Sequence, residues 1–355
     1  MRAPNSSPER GRTQRHRHFV FALAATLTAR ALAQDLPPTD ESLAAYADTT
    51  HSVTLADGRE IHFVCMGAGS PTVILTAGLG DWAASWKEVQ PTLASTTRAC
   101  AWDRPGFGLS DASSVRQTVA TTTADLEEAL ESGPGGPYVV VGHSLGSYES
   151  LLFTDRHREN VVGMVLVDPS TPDQFAVYAR VAPLLDEQMK VTMAAGVAEM
   201  RKCAADLRDG TVAPGKPDPA GCLRPIPSAY PAALREAIGR LDGPERLETV
   251  ASFNATVAES AALVVNPARN YGDMPLIVLS ATDRPPPPGV APDLLAQLIE
   301  MINLGHDELA ALSTRGVNAR VPGATHSIQD VKPQVVIDAI VAVVAQARAG
   351  AAAVD

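Results

Sequence analysis

The stretch that most limits what this chain can become is Gly142-His143-Ser144-Leu145-Gly146. It follows the apolar run Tyr138-Val139-Val140-Val141 and precedes residues 147–153, which read as a helix. Strand, tight turn and helix in so few residues put a serine at the apex. A serine hydroxyl is a useful nucleophile only when it is exposed, aimed at a base and close to donors for an oxyanion. A sharp turn at the end of a strand supplies the exposure. The residues two before and two after the serine come together in such a turn, and Gly142 and Gly146 have no Cβ to collide there. The bland alternative, a Gly/Ser turn without chemistry, does not require the flanking strand and helix.

The same rhythm runs through most of the chain. Residues 52–55 and 60–65 read as two strands around the hairpin signal Asp57-Gly58, with His51 and His62 as solvated neighbours. Apolar runs at 71–76, 97–102, 161–167, 275–280 and 317–321 read as buried strands. Segments 86–94, 118–131, 293–312 and 335–346 have helical spacing. Strands alternating with helices indicate an α/β protein with a largely parallel sheet. From 171 to 270 the rhythm changes. Segments 174–185, 186–207, 231–240 and 244–265 read as helices with no strand between them, so this stretch is expected to be a helical cap inserted into a core of 34–170 and 271–355.

The chemistry-bearing residues each fall just past the carboxyl end of an expected strand, where open α/β sheets place their ligands. They are Thr76-Ala77-Gly78-Leu79-Gly80 after the third strand, the run from Asp103-Arg104-Pro105-Gly106 to Ser110 after the fourth, and Ser144 after the fifth. Asp168 follows the sixth, Asp283 the seventh and His326 the eighth. On these residues the chain resembles α/β-hydrolases of the esterase, lipase and proline-iminopeptidase type. The resemblance implies the α/β-hydrolase fold, a mostly parallel eight-stranded sheet with helices on both faces. It implies Ser144 as nucleophile, His326 as general base and Asp283 as the acid, with Asp168 at a variant position as the alternative. The oxyanion donors would be the N–H groups of Leu79 and Leu145. Ala77 departs from the histidine common there, which leaves Gly80 as a neighbouring donor to check.

Relatives on this fold that open epoxides or displace halide use an aspartate where Ser144 stands. The expected chemistry is therefore acyl transfer to water, with a carboxylic ester as the first expectation. An amide, as in an aminopeptidase, or perhydrolysis is the alternative on the same triad, and a non-catalytic ligand-binding protein is the reading from another class. An aminopeptidase would need carboxylates for the substrate amine, for which Asp186, Glu187 and Glu199 are the loose suggestion. No cofactor or metal is implied, and no Cys-x-x-Cys pair suggests zinc.

Residues 1–18 are polar and carry Arg2, Arg10, Arg12, Arg15 and Arg17; 19–27 are apolar; Ala31-Leu32-Ala33 then offers a small-x-small cleavage site. This is the pattern of a signal peptide over 1–33, and it predicts export to the periplasm or beyond. The apolar run is too short for a stable membrane span. The formal net charge is −11, and loss of the Arg-rich leader makes the remainder more acidic. That argues against nucleic acid or an anionic membrane as partner, and a small ester-type substrate remains. Oligomeric state is not set by the sequence. An exported chain with Cys65, Cys100, Cys203 and Cys222 permits two disulfides. Cys203 and Cys222 enclose a Pro/Gly loop of the cap. Cys65 and Cys100 would lie on neighbouring strands in the hydrolase order.

Overall fold

A computed structural model describes residues 39–213, 216, 218–223, 226–286 and 290–352. The expected signal peptide lies outside these. Among the described residues a 3-10 helix, Glu41–Ala47, precedes the hairpin β1 (Val53–Thr54) and β2 (Glu60–Ile61), whose strands pair antiparallel through Val53–Ile61 and Thr54–Glu60. β3 (Phe63–Met66), β4 (Thr72–Thr76), the short helix α1 (Gln90–Leu93) and β5 (Ala99–Trp102) follow. Then come α2 (Val119–Ser132), β6 (Tyr138–His143), α3 (Gly146–Arg156) and β7 (Val161–Val167). Five helices separate β7 from the next strand: α4 (Gln174–Val181), α5 (Pro183–Arg208), α6 (Ala232–Leu241), α7 (Pro244–Ala255) and α8 (Val257–Leu263). The chain closes with β8 (Leu276–Ala281), α9 (Pro292–Ala310), β9 (Gly316–Val321), α10 (Ile328–Val331) and α11 (Pro333–Ala352).

The sheet has seven strands in the order β3-β5-β4-β6-β7-β8-β9, all parallel except the β3–β5 pair. This corrects the expected eight strands. The second expected strand breaks at His62, so Glu60–Ile61 stays in the hairpin and only Phe63–Met66 joins the sheet. The break has a local cause. The His62 N–H goes to Ser110 Oγ at 2.9 Å, and its ring turns inward, placing Nδ1 2.7 Å from Asp103 Oδ2. His62 is therefore fully buried, not solvated as its flanking position suggested; His51 is exposed.

Both faces of the sheet are covered, so its strands read as unbroken apolar runs. Alternation sorts them: Ile74 and Val140 face α2 and α3, whereas Val73, Leu75, Val139 and Val141 face α11. The apolar helix α11 buries Val336, Ile337, Ile340, Val343 and Val344 in that second layer. The helices after β7 attach to the core through side-chain hydroxyls. Ser252 and Ser260 accept the N–H groups of Gln117 and Val119 at 2.9 and 3.0 Å, and Thr249 Oγ1 lies 2.9 Å from the Ser113 N–H. Those backbone groups precede or open α2, where no sheet partner exists, so the hydroxyls satisfy donors that would otherwise be stranded. The break between α7 and α8 falls at Thr256, whose hydroxyl donates to Gln117 O at 2.7 Å.

Cys65 and Cys100 are direct partners in the β3–β5 ladder, with Cα atoms 4.0 Å apart, and are disulfide-bonded. Direct partners share a face, which the sequence could not settle. Cys203 and Cys222 are likewise bonded, Cα to Cα 5.1 Å. The first bridge ties the antiparallel edge strand to the sheet on the far side of β4 from Ser144. Replacing both Cys65 and Cys100 with Ala is expected to cost about 3–4 kcal/mol in the chain-entropy model, seen as a lower Tm, with kcat within about twofold. A large loss of kcat in a still-folded double variant would place the pair in the site instead.

Candidate active site

β6 ends at His143, and Ser144 turns the chain into α3 with φ +51°. Left-handed backbone at a residue with a Cβ is strained and persists where the surroundings fix it. They do so here. A Cβ at Gly142 would lie 2.5 Å from the Gly146 carbonyl, and one at Gly146 would lie 2.6 Å from the carbonyls of Thr76 and Ala77. Only glycine permits so close a passage. The Ser144 N–H bonds to Val167 O at 3.0 Å, fastening the elbow to β7.

His326 follows β9 and presents Nε2 2.9 Å from Ser144 Oγ. Its Nδ1 lies 2.6 Å from an aspartate oxygen, and that aspartate is Asp168, not Asp283. The structure thus brings His326 to Asp168, the alternative acid, and not to Asp283, the expected one. Asp283 does follow β8, but its carboxyl is exposed and makes no bond to His326 among the described residues; only its backbone N–H reaches that loop, at Ala324 O, 2.9 Å. Asp168 ends β7 with φ +39°, which swings its side chain inward to 2% exposure. Ser144 and Asp168 are the residues other than glycine with positive φ among those described.

Burial alone would raise the Asp168 carboxyl. The hydrogen bond with His326, the Arg284 charge and the Ala281 N–H outweigh it and hold the group below the ordinary carboxylate range. Arg284, one residue past the expected acid, lies with Nη2 2.5 Å from Asp168 Oδ1. Sequence reasoning missed it, since an arginine after a strand carries no signal of its own.

The donor side is built by Arg104. Its Nη1 and Nη2 donate to the carbonyls of Gly78 at 3.1 Å and Ala77 at 2.7 Å, while Nε and Nη2 donate to Glu149 of α3 at 2.6 and 3.1 Å. The Gly78 carbonyl and the Leu79 N–H belong to one peptide group. In a trans peptide they point in opposite directions, so the Leu79 N–H faces away from Arg104. Gly78 itself sits against the nucleophile: a Cβ there would be 3.4 Å from Ser144 Cβ. Leu145 caps the start of α3, where the helix dipole favours negative charge. Neither the Leu79 nor the Leu145 N–H has an acceptor among the described residues.

Two more histidines stand behind the site. His143 Nε2 lies 3.1 Å from the His326 carbonyl, and Gln329 Nε2 lies 3.3 Å from its Nδ1. His143 thereby supports the loop that carries His326. His306 on α9 is 1% exposed and bridges Ser280 Oγ (2.7 Å) and the Pro169 carbonyl (2.9 Å). Trp86 is core. Trp82 is half-buried and helps line a cavity of about 160 Å³ with Gly80, Phe107, Ile226, Pro227, Tyr230 and others. Met193 and Met200 pack against the core cluster beside α3.

A family model described as alpha/beta hydrolase fold matches residues 71–199, which include Ser144 and Asp168. An uncharacterised protein of Schizosaccharomyces pombe is 43% identical over 82 residues, 23% of this chain and 15% of the relative. The matches span only 15%, 43% and 25% of the length of the first three curated relatives. Among solved structures, the epoxide hydrolase CorEH is similar with a TM-score of 0.54 at 19% identity, covering 83% of this chain and 98% of that one. A thermophilic esterase from Thermogutta terrifontis is similar with a TM-score of 0.50 at 21% identity, again 83% and 98%. The strand order, the glycine-framed elbow and the matched segment agree: the chain has the α/β-hydrolase fold.

Proposed function

We propose that this protein is a serine hydrolase that cleaves a carboxylic ester through an acyl-enzyme. The observation that carries the reading is the continuous line Asp168 Oδ2–His326 Nδ1, 2.6 Å, and His326 Nε2–Ser144 Oγ, 2.9 Å. Ser144 Oγ attacks the acyl carbonyl as His326 takes its proton. The oxyanion forms between the N–H groups of Leu79 and Leu145. Its collapse expels the alcohol, which takes the proton back from His326. Water then repeats the sequence on the acyl-enzyme and frees Ser144. Asp168 accepts a hydrogen bond from His326 Nδ1–H throughout, stays ionised and stabilises the imidazolium.

Epoxide hydrolysis is the second reading, raised by the similarity to CorEH. The nucleophile argues against it. A carboxylate that opens an epoxide leaves an ester, which water can cleave at its carbonyl. A serine would leave an alkyl ether with no carbonyl to attack, and the enzyme would stop after one event. An aminopeptidase is also less well supported, because Asp186 and Glu187 are held by Lys190 on their own helix, at 2.7 and 2.9 Å. The two disulfides favour an oxidising compartment and hence export.

The test is turnover of p-nitrophenyl esters of increasing acyl length, with an alkyl phosphonate as covalent label. The expected result is ester turnover and a label on Ser144. A label on Ser110 or Ser147 would sink the assignment, as would diol formation from an epoxide without ester turnover.

A further inference from the structure

The loop after β8 contributes a cation to the site. Arg284 Nη2 is 2.5 Å from Asp168 Oδ1, which also accepts the Ala281 N–H at 2.9 Å. Oδ2 is left to His326 Nδ1, at 2.6 Å. The carboxylate is buried, and the Arg284 side chain is 15% exposed. Two donors on one oxygen stop the carboxylate from rotating about Cβ–Cγ, so the other oxygen keeps facing the imidazole. The guanidinium also offsets part of the negative charge that favours a protonated His326.

We propose that Arg284 is a positioning residue for the general base: by holding Oδ1 of Asp168 it sets both the aim of His326 and the pH at which His326 becomes free to accept the Ser144 proton. This rests on the Ser144–His326–Asp168 reading.

The surrounding groups leave the role to Arg284. Burial drives His143 on β6 and His306 on α9 down to about 4, so both are uncharged over the working range. Tyr178 on α4, which faces Arg284 and Asp168, is pushed up by burial and stays neutral. Arg104 is paired with Glu149, and Arg320, which faces His306, with Asp307. Asp81, which faces His326, is raised by burial and is the one nearby acid to keep unaltered in the comparison.

The test is the pH dependence of kcat/KM for an aryl ester in Arg284→Gln and Arg284→Lys. Without the guanidinium the carboxylate acts on His326 with more of its charge. The protonated imidazole is then favoured, and the acid limb moves to higher pH. The expected shift in Arg284→Gln is about one pH unit, the scale of one charge near a partly shielded site, with the plateau kcat a fewfold lower. Arg284→Lys should return the limb to within about 0.3 unit, since charge is kept. An unmoved limb in a folded, active Arg284→Gln overturns the proposal, whatever its rate. Should Gln impair folding, Arg284→Met gives the same reading. Ser144→Ala separates the two ideas. If it is inactive while the limb stays put, only the role of Arg284 fails; if it keeps turnover, the triad reading itself fails.

Discussion

Asp168→Asn is expected to lower kcat for an aryl ester by about 10³–10⁴-fold, the scale of amide-for-acid exchange in such triads, while Asp283→Asn stays within about twofold of wild type. Ser144→Ala is expected to fall at least as far as Asp168→Asn. Asp168 receives His326 Nδ1 at 2.6 Å, which fixes the tautomer that leaves Nε2 free to take the Ser144 proton. An asparagine there can present its NH₂ to Nδ1, and the ring then carries its proton on Nε2, facing the hydroxyl it should deprotonate. Asp283 is exposed and faces no ring nitrogen. Circular dichroism on each variant checks the fold, and steady-state kinetics read the outcome. A collapse in Asp283→Asn beside a near-normal Asp168→Asn would return the acid to the loop after β8.

The second large effect concerns stability. Arg104→Met is expected to destabilise the fold by about 3–5 kcal/mol, because it leaves Glu149 charged and buried without its cation. Arg104 is 2% exposed and Glu149 fully buried. The Thr122 hydroxyl, 3.0 Å from Glu149, cannot replace a two-pronged guanidinium. In a domain of this size that is a fall in Tm of about 10 °C or more. Whatever protein stays folded should lose kcat more than it gains KM, since the Gly78 carbonyl no longer holds the Leu79 N–H in place. Removing both charges, with Arg104→Met and Glu149→Leu, should recover much of the stability and none of the kcat. Thermal unfolding and kinetics on the single and double variants measure the two effects apart. Equal stability of the single variant and wild type would remove the pair from the frame of the fold.

The pairing of Ser144 with His326 was legible because local rules single out both residues. Gly142 and Gly146 frame the first by sterics, and the second follows the last strand in the chain. The carboxylate that meets His326 was not, because Asp168 and Asp283 both follow apolar runs. What separates them is a positive φ at Asp168 and its burial, neither of which is local. Arg104 stood in view within Asp103-Arg104-Pro105-Gly106, but its partner Glu149 is 45 positions away. His62 was misjudged for the same reason: Asp103 lies 41 positions away. The cysteine pair on β3 and β5 depended on register, which a shift of one residue would have broken. Burial of a polar side chain is decided by what arrives from elsewhere in the chain.

The placement of the triad on the sheet matters for anyone who would transplant it. β6 and β7 are adjacent inner strands in register, His143 against Val167, and each ends one residue before a member of the triad. The Ser144 N–H bonds to Val167 O, and the Ser170 N–H to Ser144 O. Ser144 and Asp168 can thus be moved to a new scaffold as one unit, two strands and an elbow, with their spacing already set. His326 follows β9, the border strand, which has a neighbour on one side only. It is the part a designer would have to aim afresh.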